Sequence, residues 1–385
     1  MTDIDADGLA DLLAELVARE TVNPPGDEGV LAEYLVERLD DSPVDFDVGV
    51  REVHPGRPNV VARAGDPEKG SLLLTGHMDV VPANPDDWTA DPFELRREGD
   101  RLVGRGTADM KGALAAKLLA AEAFLASHDD PGEVILGFTV DEERGGSGTE
   151  ALAERVEADA AIIGEPSRCQ VAIAEYGVVG YELTVRGESG HSGRPDRAVN
   201  AVDGLRKALD RVEALDDEVR TQEHDLLEPG PSVSITEIDG GLAPNVIPDE
   251  ATATVFWRTL PDIDRDPAVF DDRLADALEG VTLDGEPVDV EFERWLFSAG
   301  SEVDRDAAIV RETLDAAREV GIDAEVTGFN AGTDARFLTR AGIPTLVFGP
   351  GSIEDDAHTV DESVALDELV ATAETYRGVL ERRLG

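Results

Sequence analysis

Leu72-Leu73-Leu74-Thr75-Gly76-His77-Met78-Asp79-Val80-Val81-Pro82 begins as an unbroken apolar strand and runs out into a loop carrying a histidine and, two positions on, an aspartate. A strand that is apolar at every position is buried on both faces, as in a largely parallel sheet covered by helices on either side. The neighbouring sequence repeats the pattern. Short apolar strands are predicted at residues 59–64, 71–74, 133–140 and 160–163, with an alanine-rich stretch at 109–127 between the second and third. Amphipathic helices at 7–19 and 29–39 precede them, parted by the breaker run Asn23-Pro24-Pro25-Gly26. Late in the chain, helices at 304–320 and 334–341, a strand at 324–327 and an apolar run at 343–348 ending in Gly349-Pro350-Gly351 bring the alternation back. The class is therefore α/β: a mixed, largely parallel sheet flanked by helices.

Between these halves the pattern changes. Strands at 178–185, 232–238, 251–258 and 288–292, with helices at 197–214 and 267–278, give the order strand, helix, strand, strand, helix, strand of a small α+β sandwich. The organisation that follows is one domain built from residues 1–176 and 294–385, interrupted by an inserted domain at 177–293.

The 385 residues carry 34 basic and 84 acidic side chains, a net charge of −50. Such a chain is repelled by a nucleic acid backbone or an anionic membrane surface. Only Lys69, Lys111, Lys117 and Lys207 are lysines, so positive charge is almost all arginine. At about 1 M salt the Debye length falls to ~3 Å and self-repulsion disappears, so the composition suits concentrated salt and resembles that of proteins from salt-accumulating halophiles. Cys169 has no second cysteine to pair with, which fits a reducing cytoplasm. No apolar run approaches the ~20 residues that span a bilayer, and no basic-then-apolar segment opens the sequence. A soluble, unexported, cytoplasmic protein is the expectation.

Five segments could carry chemistry. His77 and Asp79 project from the same side if the strand continues, and Asp79 is then placed to accept the second ring N–H of His77, the usual support of a metal-ligating imidazole. Gly104-Arg105-Gly106-Thr107-Ala108-Asp109-Met110-Lys111-Gly112 sets Asp109 at a helix start, where an aspartate is ordinarily an N-cap. Thr139-Val140-Asp141-Glu142-Glu143-Arg144-Gly145-Gly146 puts three acids at a strand end, with two glycines that let the backbone aim Glu142 and Glu143 at one place. Ile162-Ile163-Gly164-Glu165-Pro166-Ser167 ends a buried strand in an acid, and Ala357-His358-Thr359-Val360-Asp361-Glu362 supplies a second histidine. Singly each reads as loop surface. Together they stand at or beyond the carboxyl ends of strands in an open sheet, where sites form. Two imidazoles and three carboxylates, with a further carboxylate beside them, suit a pair of divalent ions; nitrogen and oxygen donors without thiolate favour Zn2+, with Co2+ or Mn2+ as substitutes.

From Thr21-Val22-Asn23-Pro24-Pro25 to His358-Thr359-Val360-Asp361-Glu362 these motifs resemble the zinc-dependent M20 metallopeptidase and amidohydrolase family. The resemblance implies a catalytic α/β domain with an inserted lid or dimerisation domain. It implies His77 and Glu165 on one zinc, Glu143 and His358 on the other, Asp109 bridging both, a cis peptide after Asp109, and Glu142 as the general base for a metal-activated water. Gly190-His191-Ser192-Gly193 resembles the segment whose histidine reaches the active site of the partner subunit, so His191 is a catalytic candidate in a homodimer. Asn245 and Arg258, and Thr333 and Arg336 in Gly332-Thr333-Asp334-Ala335-Arg336, match segments that contact substrate; an arginine fork suits the carboxylate of an N-acyl amino acid. The block Gly349-Pro350-Gly351-Ser352-Ile353 resembles the acetylornithine deacetylase and succinyl-diaminopimelate desuccinylase branch. A dipeptidase or carboxypeptidase of the same family is the near rival, and a non-catalytic metal-binding or ligand-binding protein on the same fold the more distant one. Glu142 speaks against the latter, because a binder needs ligands but no base. His54, His128 and His224 lie outside these motifs and read as surface residues.

Overall fold

The computed structural model describes residues 4–261, 266–283 and 285–385. Two compact units emerge: the residues up to Ile173 together with Glu302–Gly385, and Ala174–Ser301.

In the first unit the main sheet runs in the order Asp47–His54, Arg57–Ala64, Gly132–Thr139, Asp66–His77, Ala161–Ile163, Thr345–Val347, and then the strand Val171–Glu175. Its centre is parallel, from Gly132–Thr139 through Asp66–His77 and Ala161–Ile163 to Thr345–Val347, and its outer pairs are antiparallel. Leu72, Leu73 and Leu74 are fully buried, as strands covered on both faces must be. One cover is the helix Lys111–Ser127, rich in Ala and Leu and free of β-branched residues, which packs between the helices Ala6–Val17 and Leu366–Leu384. On the other face Leu73, Ile135, Ala161 and Ile163 pack with Leu152 and Val156 and with Ala335 and Leu338 of the helix Ala335–Arg340.

The second unit is an antiparallel sheet in the order Ser232–Gly240, Glu250–Thr259, Gly177–Arg186, Val290–Ser298. Alternate residues, Val179, Tyr181, Leu183 and Val185 on one strand and Ala251, Ala253, Val255 and Trp257 on the next, point into a core shared with the helices Ala201–Val219 and Ala268–Leu278.

Local chemistry moves several boundaries. The helix expected from residue 197 starts at Ala201, because the Asn200 side chain accepts from Val202 N and caps it, leaving Pro195–Arg197 as a 3-10 turn. The last strand of the second unit continues to Ser298 through a bulge between Arg294 and Leu296, where the sequence placed its end at 292. Among the described residues no helix is long and apolar enough to cross a membrane.

Candidate active site

The parallel strands end side by side, and the five candidate ligands meet beyond those ends, in the first unit. His77 is the last residue of its strand. Its Nε2 lies 3.1 Å from Asp109 Oδ1 and 3.5 Å from Glu165 Oε1. Glu165 follows the neighbouring strand Ala161–Ile163. His358 Nε2 lies 3.3 Å from Asp109 Oδ2 and 3.1 Å from Glu143 Oε2. Two donor groups result, His77 with Asp109 and Glu165, and Asp109 with Glu143 and His358, each with its ligand atoms within 4.8 Å of one another. Asp109 belongs to both, one oxygen toward each histidine. It does not cap the helix behind it, whose N-cap position is Met110, and the Asp109-Met110 peptide is cis.

Asp79 departs from the sequence expectation. His77 Nδ1 is 2.9 Å from the main-chain oxygen of Asp79, while its carboxylate stays 3.6 Å away. The strand ends at His77 and the chain turns to bridge Val80 with Val22, so the alternation that would align the two side chains stops. The Asp79 carboxylate instead accepts from Asn23 Nδ2 at 2.8 Å and from the backbone N–H groups of Glu142 and Glu143, both at 3.2 Å. It therefore anchors the turn bearing those two acids.

That turn is a single 3-10 segment, Glu142–Arg144, entered through Asp141 in the left-handed region and left through Gly146 at φ 80°. Gly146 is required there on two grounds, since a Cβ would also fall 2.3 Å from Asp334 Oδ1. Asp334, buried and bonded through Oδ2 to Thr149 Oγ1 at 2.5 Å, thus lies against the turn bearing Glu142 and Glu143, although nothing in the motif Gly332-Thr333-Asp334-Ala335-Arg336 marks it out in sequence. Arg336 donates to Thr333 O at 2.7 Å and to Gly145 O at 3.2 Å, so the Thr333–Arg336 candidates pack on the same turn. Glu362 is a second omission. Its buried carboxylate accepts from Arg105 Nη1 and Gly106 N on one oxygen and from Ala108 N and Asp109 N on the other, at 2.6 to 3.0 Å, and so fixes the backbone of Asp109, the candidate ligand common to both groups.

Electrostatics follow from many acids in little water. Glu142 keeps some solvent contact but is densely surrounded; burial first, then the charge of Asp334, push its carboxyl well above the ordinary range. Glu165 is raised the same way, by burial and by Asp109, and Glu143 is raised by burial against the hydrogen bond from His358. Burial opposes a charged His77, yet Glu165 and Asp109 outweigh it and hold the imidazole well above its usual value. His358, bonded to Asp109 and Glu143, is pushed up to about 10. Asp109 goes the other way: the two imidazoles overcome its burial and hold it low.

These donors fit divalent cations. Glu165 Oε1 is buried with no hydrogen-bond partner among the described residues, a costly state that a cation would relieve. Imidazole nitrogens and carboxylate oxygens make up the set, and Cys169, buried beside Thr372 and Glu368, takes no part in it.

The remaining candidates belong to the second unit. His191 and Asn245 come together there: Gly190–His191 pairs with Val246–Ile247, and Ser192 N donates to Asn245 O at 3.0 Å. The His191 side chain is exposed, with Nδ1 accepting from Gly193 N. Arg258 stacks its guanidinium over the Tyr176 ring at 4.8 Å, and among the described residues no carboxylate pairs with it.

Imidazoles and carboxylates gathered beyond parallel strand ends, on a chain interrupted by an α+β unit, define a peptidase-type hydrolase of amide bonds. A model of peptidase family M20/M25/M40 matches residues 73–382, and the chain belongs to that family. It is 34% identical over 394 residues to a succinyl-diaminopimelate desuccinylase of Alkalilimnicola ehrlichii, covering 97% of this chain and 99% of the relative. To an acetylornithine deacetylase of Aliivibrio fischeri it is 33% identical, covering 85% and 84%. Among solved structures, the aminopeptidase PepT of Bacillus cereus superposes with a TM-score of 0.82 at 21% identity, covering 98% of each chain, and shares the fold.

Proposed function

We propose that the chain is a two-zinc amidohydrolase that removes the acyl group from an N-acyl amino acid, of the acetylornithine deacetylase or succinyl-diaminopimelate desuccinylase type. The observation that carries this reading is the Asp109 carboxylate set between His77 and His358, each histidine also facing a glutamate, with Glu142 next to one of those glutamates. His77, Glu165, Glu143, His358 and the shared Asp109 would hold the metals. Metals held there would polarise the acyl oxygen and lower the pKa of water. Glu142, beside Glu143 on the turn that Asp79 holds, is the group that takes a proton and returns it to the leaving amine. Asp79 keeps Glu142 and Glu143 aimed inward through their backbone N–H groups.

Substrate recognition in this reading uses Arg258, Asn245, Thr333 and Arg336. A guanidinium with no carboxylate partner among the described residues, as at Arg258, suits the free carboxylate of an amino acid. Homodimer formation through the 177–293 region, with His191 of a second copy completing each site, and a cytoplasmic location belong to the same proposal. The full-length relatives named for desuccinylation and deacetylation support the acyl substrate over a peptide.

The test is a panel of acetylornithine, succinyl-diaminopimelate, other N-acyl amino acids and dipeptides, presented to the zinc-loaded protein in high salt. Hydrolysis of an N-acyl amino acid is expected, and Glu142→Gln is expected to lower kcat by at least about a hundredfold while both metals stay bound. Turnover of dipeptides alone would replace the deacylase with a dipeptidase.

A further inference from the structure

We propose that Glu28 and Arg57 are positioning residues that fix, through Asp141, the turn carrying Glu142 and Glu143. The inference rests on the reading of Glu142 as the proton-transfer group. Glu28 precedes the helix Gly29–Asp40, its side chain has no solvent exposure, and it meets the Arg57 guanidinium as a fork: Nε to Oε2 at 2.7 Å and Nη2 to Oε1 at 2.5 Å. The same Nη2 donates to Asp141 Oδ1 at 2.9 Å, and Asp141 N donates to Glu28 Oε1 at 3.3 Å. Both partners of the buried pair therefore bind Asp141, one at its carboxylate and one at its backbone. Asn23 Nδ2, at 3.1 Å from Asp141 Oδ1, and Ser147 Oγ, at 2.7 Å from Oδ2, add to the hold, with His54 Nε2 3.7 Å from the same Oδ2. Room for the guanidinium comes from Gly26, where a Cβ would lie 2.3 Å from Arg57 Cζ.

Asp141 needs holding. It sits at φ 71°, a sparsely populated region for a residue with a side chain, and its oxygen accepts from Gly145 N and Gly146 N to close the turn. A buried ion pair adds little to stability compared with an apolar pair of the same shape, so its hydrogen bonds are better understood by where they point. These point at the residue before Glu142. Asp79 grips the turn at the two residues after Asp141, while Glu28 and Arg57 set the angle at which the chain enters it.

The experiment compares Arg57→Lys, Arg57→Met, Asp141→Gly and Glu142→Gln in the zinc-loaded protein, measuring kcat, KM, metal content and the unfolding midpoint. Arg57→Met and Arg57→Lys are expected to lower kcat on the order of ten- to a hundredfold, as a displaced base does, with KM within roughly threefold and metal content unchanged. Asp141→Gly removes the carboxylate while allowing the left-handed backbone, so it stays folded even where Arg57→Met does not, and the same loss of kcat is expected. Full kcat per folded, metal-loaded chain in Asp141→Gly and Arg57→Lys, beside an inactive Glu142→Gln, overturns the positioning role alone. A loss explained wholly by missing metal or raised KM overturns it too. An active Glu142→Gln removes the functional reading itself, and this inference with it.

Discussion

His358 shows what single residues contribute. In the metal-free chain its imidazole is pushed up to about 10 by Asp109 and Glu143, so at pH 7 the nitrogen that would face a cation carries a proton. A cation needs that lone pair and must displace the proton at any pH below the raised value; Glu143, itself raised, acts in the same direction. Metal affinity at this group is therefore expected to increase with pH across the neutral range, with protons released on binding at pH 7. Calorimetric titration of the metal-free protein in buffers of different ionisation enthalpy measures the release, and a heat independent of buffer would contradict it. At this scale the sequence is legible where a residue ends a strand, as His77 does, or follows one within a few positions, as Glu165 and Glu143 do. It was not legible where a residue acts on one far away. Glu362 fixes Asp109 from 253 positions along the chain, and no periodicity relates the two. Asp79 was singled out for its spacing from His77, but its carboxylate serves the Glu142–Glu143 backbone, 63 and 64 positions on.

Elements tell a similar story of patterns found and pairings missed. The central strands are readable from their buried apolar stretches, such as residues 72–74 and 134–136, and the second unit because its strands alternate. Asp47–His54 was not, since it is a mostly exposed edge strand with no apolar face to mark it. The helix Leu366–Leu384 is absent from the sequence expectations, although Leu366, Leu369, Ala373, Tyr376 and Leu380 recur at helical spacing and are buried. Nor does composition reveal that Lys117, in the middle of Lys111–Ser127, is buried with its ammonium nitrogen donating to Thr75 O and Ile162 O, tying together the two strands that lead to His77 and Glu165. The short helix Ser147–Ala153 meets the strand end at Val140 with backbone against backbone. A Cβ at Gly148 would lie 2.2 Å from Val140 O and 2.4 Å from Val140 N, and main-chain atoms cannot rotate away as a side chain can. Asn59 locks the same contact, donating to Gly148 O at 2.7 Å and accepting from Val140 N at 3.1 Å. Gly148→Ala is accordingly expected to cost about 3 kcal/mol or more of stability, read as a lowered denaturant midpoint of the first unit. An unchanged midpoint would show that the helix can shift without loss.

Charge acts at the scale of the whole molecule. Arginines are well used: Arg57, Arg105 and Arg38 each hold a buried or half-buried carboxylate, and Arg168 and Arg101 tie down acids of the loop leading to His358. Other arginines pair as well, among them Arg63, Arg294 and Arg383, but cations run short: were every basic side chain matched to one acid, 50 acids would be left over. At about 0.1 M salt the Debye length is ~10 Å, comparable to the spacing of charges on such a surface, and their repulsion opposes the compact state. At 1 M it is ~3 Å and neighbouring carboxylates no longer sense one another, while exposed ion pairs that salt also weakens are worth only about 0–1 kcal/mol each. Repulsion is the larger of the two effects, so added salt has a net stabilising sign. The unfolding midpoint is expected to climb steeply between 0.1 M and 1 M KCl and more slowly beyond it, as the screening length approaches contact distance. Glutamine substitutions at several exposed, unpaired acids are expected to raise the midpoint in 0.1 M KCl and to change it little in 3 M KCl. A protein equally stable at all these concentrations would mean that its surface acids are not in conflict with its fold.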